Sequence, residues 1–114
     1  MKKIENKYNN STFENIKHID DYGNEYWYAR ELQKVLEYKD WRNFQKVIDK
    51  AVISAILLSK EDWVVEVNKP IKTGKGKEEI IKDYKLLRYI CYLIVQNADP
   101  SKEVVDLGQS YFAM

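Results

Sequence analysis

The sequence predicts an α+β fold, a single domain with helices packed on a small antiparallel sheet that includes a basic hairpin. Apolar residues recur at helical spacing over residues 29–38, 41–55 and 86–113. Two β-prone runs, Trp63-Val-Val-Glu-Val67 and Glu78-Glu-Ile-Ile-Lys-Asp-Tyr84, flank the glycine- and lysine-rich stretch Thr73-Gly-Lys-Gly-Lys77. With 114 residues, 45% of them hydrophobic, the chain suits one domain with one core.

Each element follows from a local signal. Residues 1–11 are rich in Lys and Asn, carry no apolar period and read as a flexible N-terminal arm, which leaves 12–114 as the domain. Ser11 and Glu14 have capping-box spacing and open a short helix with Phe13 and Ile16 on one face. A turn at residues 21–24 leads into the aromatic strand Glu25-Tyr-Trp-Tyr28. Leu32, Val35 and Leu36 then form a helical stripe that ends near Tyr38. Asp40 is placed to cap a core helix bearing Trp41, Phe44, Val47, Ile48, Ala51 and Ala55. After the hairpin come a helix over 86–97 and, with Asp99 as cap and Pro100 at its first position, another over 100–113. The chain stops without a capping glycine or proline, as the N-terminal part of a longer protein would.

Composition excludes several classes of function. One cysteine, Cys91, and one histidine, His18, build neither a disulfide nor a Cys/His zinc site, so no metal or cofactor is expected. The longest apolar run, 51–59, is far short of the ~20 residues that cross a bilayer, and no signal-peptide segment opens the chain; a cytoplasmic protein is the expectation. His18 lies in a polar segment and no G-x-S-x-G elbow exists, which argues against a nucleophilic hydrolase. The acidic pairs Asp20/Asp21, Glu61/Asp62 and Glu78/Glu79 are sequence neighbours rather than a converging set, so no catalytic residue is assigned. Gly74-Lys75-Gly76-Lys77 lacks both the upstream glycine and the following Ser or Thr of a phosphate-binding P-loop.

Nineteen Lys and Arg against eighteen Asp and Glu leave +1, so any nucleic-acid surface must be a local patch. Lys69, Lys72, Lys75 and Lys77 fall within nine residues around two glycines, a flexible basic loop suited to phosphate contact; a merely solubilising hairpin tip is the alternative. Arg42 and Lys46 occupy the wet face of the core helix, either as further phosphate contacts or as an ordinary solvated face. Among the nine tyrosines, Tyr26, Tyr28 and Tyr38 are the candidates for stacking on bases, whereas Trp27, Trp41, Phe44 and Tyr89 lie on apolar faces. Arg88, set in an apolar run, must find a carboxylate or helix-end carbonyls, and Cys91 reads as a small buried hydrophobe.

The blocks Phe13-Glu-Asn-Ile-Lys-His18, Glu25-Tyr-Trp-Tyr-Ala-Arg-Glu-Leu32, Val35-Leu-Glu-Tyr38 with Trp41-Arg-Asn-Phe44, Asp83-Tyr-Lys-Leu-Leu-Arg-Tyr-Ile-Cys-Tyr-Leu-Ile94 and Gln96-Asn-Ala-Asp-Pro-Ser-Lys102 appear in one order. In that order the chain resembles the N-terminal domain of the bacterial DNA-damage-inducible protein D family and, more distantly, the Bro-N domains of phage antirepressors and viral proteins. The hairpin, 61–82, is the least similar part, and Leu87 and Ile90 stand where smaller residues are expected. The resemblance implies a bacterial, non-enzymatic domain of the DNA-damage (SOS) response. Its implied partners are DNA, single- or double-stranded, and a RecA-type recombinase, and it implies that the Tyr26/Trp27/Arg30 and Arg88/Tyr89/Tyr92 blocks are mainly structural. The competing expectation is a protein-interaction module without DNA contact, forming a homodimer through Val104, Leu107 and Tyr111 of the C-terminal helices.

Overall fold

A computed structural model describes residues 11–114; of the expected arm over 1–11, only Ser11 lies within the described residues. The elements run α1 (Ser11–Glu14), β1 (His18–Ile19), β2 (Glu25–Tyr28), α2 (Ala29–Val35), α3 (Trp41–Leu57), a 3-10 turn (Glu61–Trp63), β3 (Val64–Lys72), β4 (Glu78–Leu87), α4 (Arg88–Asn97) and α5 (Glu103–Phe112). The four strands form one antiparallel sheet in the order β1-β2-β4-β3. The predicted α+β class therefore holds.

Local chemistry accounts for the boundaries. The Asp20 carboxylate accepts the N–H groups of Tyr22 and Asn24 at 2.9 and 2.8 Å, and Gly23 takes φ +83°; this turn folds β1 back onto β2. β1, with two residues, is too short to show a period and is not predicted from the sequence. Tyr28 offers α2 no side-chain cap. Instead the Asp83 carboxylate, on β4, accepts the Arg30 N–H at 2.9 Å and does a cap's work from 53 residues away. Asp40 caps α3 as expected, accepting from the Arg42 N–H at 2.9 Å. Both α2 and α3 end in a left-handed residue that is not glycine, Glu37 at φ 62° and Ser59 at φ 56°. The Tyr38 N–H donates to the Gln33 carbonyl, and the Lys60 N–H to that of Ala55, as in Schellman closures.

Two predicted boundaries move. β4 continues through Leu87, so α4 begins at Arg88 rather than at residue 86. The Asp99 carboxylate accepts from the Ser101 N–H and hydroxyl, at 3.0 and 2.7 Å, closing a turn; α5 starts only at Glu103. Pro70 lies within β3, where an edge strand tolerates its missing donor.

Alternation divides the sheet into two faces. Trp27 pairs with Leu86, and Tyr84 precedes Leu86 by two residues on the same side; all three are buried against the helices. Phe13, Phe44, Ile48, Ile90, Ile94 and Val104 complete that core, all with zero exposure, and the Trp27 indole donates to the Phe13 carbonyl at 3.0 Å. At Gly108 on α5 a Cβ would stand 3.0 Å from Val95 Cγ1 and 3.1 Å from Phe13 Cζ, so glycine lets the last helix close on its neighbours. The opposite face carries Tyr26, Tyr28, Val65 and Lys85, and Val65 is 49% exposed.

Candidate nucleic-acid interface

The β3–β4 hairpin positions most of the predicted basic residues. Its register runs from Val64 opposite Leu86 to Lys72 opposite Glu78, and the connection closes with Thr73 N–H donating to the Lys77 carbonyl at 2.8 Å. Gly76 takes φ +74°, a conformation that glycine supplies without strain. No residue from Asn68 to Lys82 is buried, so the outer hairpin stands off the body as an arm. At ~3.3 Å per residue, the six residues from Tyr84 to Glu78 place its tip roughly 20 Å from the core.

Lys72, Lys75 and Lys77 are exposed on this arm, available to phosphates. Lys69 is placed differently. Its ammonium is 2.6 Å from Asp83 Oδ2 and 3.2 Å from the centre of the Tyr28 ring. Asp83 is fully buried, and its other oxygen accepts the N–H groups of Arg30 and Tyr84 at 2.9 and 2.8 Å. Among the described residues Oδ2 accepts no other hydrogen bond, so Lys69 is the counter-charge of a buried carboxylate before it is anything else. Lys82 leans on Glu66 at 3.5 Å, and Glu78 and Glu79 temper the arm's charge.

Arg42 and Lys46 are exposed on α3, and Lys50 extends the same row by one turn, a member that the sequence pattern does not single out. The N-terminal end of α3 rests on the base of the arm. Gln45 donates to the Tyr84 hydroxyl at 3.1 Å, the Trp41 and Tyr84 rings stack, and Arg30 covers Trp41 at 3.7 Å. The α3 row therefore begins near the root of the hairpin, while Lys75 and Lys77 are at its far end; the fold sets the two predicted groups apart along one axis.

The three tyrosines have distinct surroundings. Tyr38 is structural: its hydroxyl accepts the Asp99 N–H at 2.9 Å, its ring packs on Phe44, and Lys102 covers it. Tyr26 and Tyr28, in contrast, stand together on the open sheet face with His18, whose ring stacks on Tyr26 at 5.3 Å and meets Tyr28 edge-on at 4.9 Å. Glu31 holds the imidazole Nε2 at 2.6 Å. The alternation of β2 carries enough information to pair Tyr26 with Tyr28; Lys85 and His18 join them only through strand pairing.

Other expectations are met by structural use. Arg88 forks onto both oxygens of Glu25, at 2.9 and 3.3 Å, and donates to the Tyr111 carbonyl at 3.1 Å, the carboxylate and helix-end partners its setting demands. The guanidinium in turn holds the Glu25 carboxyl below the usual carboxylate range. Cys91 is buried, and burial pushes its thiol well up, away from thiolate chemistry. Among the described residues no group of three or more His, Cys, Asp or Glu side chains could hold a metal ion, and no helix is long and apolar enough to cross a membrane.

The expected dimer residues are spoken for. Val104 and Tyr111 are buried within the domain and Leu107 is half-buried against its core, because α5 packs on α4 rather than standing free. Exposed apolar side chains gather instead at the end of α3, at Ile53, Ile56, Leu57 and Leu58.

The sequence profile of the BRO family, N-terminal domain, matches residues 15–105. The chain belongs to this family. The matched span of the BRO N-terminal domain runs from the end of α1 into α5 and takes in the whole sheet with its arm. The chain is also 40% identical over 104 residues to the DNA damage-inducible protein D of Escherichia coli (strain K12), covering 90% of this chain and 38% of that protein. This BRO domain thus corresponds to well under half the length of that relative. No solved structure matches it.

Proposed function

We propose that the chain is the N-terminal module of a DNA-damage (SOS) response regulator, acting in the cytoplasm without catalysis or cofactor by binding DNA or a DNA-bound RecA-type recombinase filament. The observation that carries this reading is the segregation of charge. In a chain of net charge +1, five lysines and two glutamates fall between residues 69 and 82; Lys69 pairs with Asp83 and Lys82 with Glu66, while Lys72, Lys75 and Lys77 are exposed on the outer arm. Such an arm adds nothing to the packed core, and its exposed ammonium groups match a phosphate backbone. Arg42, Lys46 and Lys50 extend the basic surface at the arm's root. The name of the 40%-identical relative supports the damage-response setting.

Fluorescence anisotropy with matched single-stranded and duplex oligonucleotides at two salt concentrations tests the proposal. Salt-sensitive binding that weakens in Lys72→Glu/Lys75→Glu/Lys77→Glu is the expected result, with the log–log salt slope on duplex smaller by ~0.9 for each phosphate that the variant no longer neutralises. Absence of binding at low salt refutes it. A second reading, a protein-interaction module with no direct DNA contact, is favoured by the exposed Ile53, Ile56, Leu57 and Leu58. A concentration-dependent dimer in sedimentation that ignores DNA would decide for it.

A further inference from the structure

We propose that the open face of the sheet is a stacking platform for unpaired bases of single-stranded DNA, formed by Tyr26 and Tyr28 with Lys69 and Lys85 beside them. This deepens the DNA-binding reading and rests on it.

Tyr26 and Tyr28, separated by one residue on β2, project from the same face of the sheet with their ring planes at 89° to each other. Neither ring belongs to the core, which lies on the other side of the sheet around Trp27, Tyr84 and Leu86. The pair is held in place before any ligand arrives. Their rings meet edge to face at 5.4 Å, His18 packs against both, and Glu31 fixes His18 at 2.6 Å. Each tyrosine also has a cation at its ring, Lys69 Nζ 3.2 Å from the Tyr28 centre and Lys85 Nζ 5.1 Å from that of Tyr26. Lys69 is bridged to Asp83; Lys85 is opposite Tyr28 on the neighbouring strand and supplies positive charge for a phosphate. Beside Tyr26 and Lys85 a pocket of about 210 Å³, walled by Trp63, Val65 and Leu87 and edged by Asn24 and the carboxylates of Asp20 and Asp62, offers room for a ring to enter.

Aromatic rings on an open antiparallel sheet, with basic groups around them, suit bases whose flat faces are free. A duplex hides those faces in its own stack. The platform therefore reads strandedness, while the arm lysines bind phosphates of either form.

The test is anisotropy of the full chain with labelled oligodeoxythymidine and with a mixed-sequence duplex, comparing wild type, Tyr26→Leu/Tyr28→Leu and Tyr26→Phe/Tyr28→Phe, each checked for folding by circular dichroism. The leucine pair should bind the single strand ~25-fold or more weakly, with duplex binding unchanged, while the phenylalanine pair, which keeps its rings, stays within about twofold of wild type. If the leucine pair binds oligodeoxythymidine as wild type does, or loses both ligands equally, the platform is wrong although DNA binding stands. If the wild type binds neither ligand, the platform falls together with the DNA-binding reading.

Discussion

The ion pair at the root of the arm makes a quantitative prediction. Asp83 is fully buried and gives its carboxylate to two backbone N–H groups and one ammonium. Asp83→Ala strips the α2 terminus of its side-chain acceptor, leaves the Arg30 and Tyr84 N–H groups without that partner, and orphans Lys69. Unsatisfied buried donors and a broken buried pair together cost ~3–5 kcal/mol, a large part of the ~5–15 kcal/mol that holds an ordinary domain. Lys69→Met is milder, ~2 kcal/mol, because the carboxylate keeps both N–H bonds and its place at a helix N-terminus. The double variant removes both charges, so its cost falls short of the sum by ~1 kcal/mol or more. Urea unfolding followed by circular dichroism measures all three, with midpoints falling by ~1–4 M for Asp83→Ala. An Asp83→Ala protein within ~1 kcal/mol of wild type, or strict additivity in the cycle, would refute the assignment of Lys69 as a structural counter-charge.

Other expectations are simpler to state. Lys72→Glu/Lys75→Glu/Lys77→Glu should leave the melting temperature nearly unchanged while weakening DNA binding, since exposed substitutions away from special features shift stability by no more than ~0.5 kcal/mol. Arg88 depresses the Glu25 carboxyl in the folded state, so this group's contribution is fully present above its unfolded pKa of ~4.3 and is lost as pH falls through the lower folded value. Melting scans from neutral to acid pH should show that loss, and Glu25→Gln should flatten it. Ser59→Gly relieves a left-handed residue at φ 56° and should raise stability by roughly 0.5–1 kcal/mol, read as a melting temperature higher by several degrees; an unchanged or lower value would contradict the strain argument.

How far the sequence could be read depended on the reach of each interaction. α3 was legible because its cap, Asp40, and its apolar period lie within one segment. Arg88 was legible as a residue in need of a carboxylate, though nothing local named Glu25. The start of α2 was opaque, as its acceptor is on β4, and the ends of α2 and α3 lacked the glycine that marks a stop. Lys69 read as one of four equivalent lysines until strand pairing placed Asp83 diagonally across from it, two residues from Ile81, which Lys69 faces. In the candidate site, likewise, Tyr26 and Tyr28 could be singled out by alternation, but the cations that accompany them come from other strands. Val104 and Tyr111, expected to stand exposed, are buried, because periodicity shows that a helix has an apolar face, not what covers it.

Because nothing between Pro70 and Ile81 is buried, the arm beyond Lys69 can open and close without exposing the core or parting Lys69 from Asp83. Its amides should exchange with solvent through local opening, far faster than those around Trp27 and Leu86, which wait for the whole domain to unfold. The domain thus has two separate stabilities, one for the body and one for the arm. Sequence change at the tip is hardly screened by folding, so this scaffold can vary the surface of its arm while its interior stays as it is.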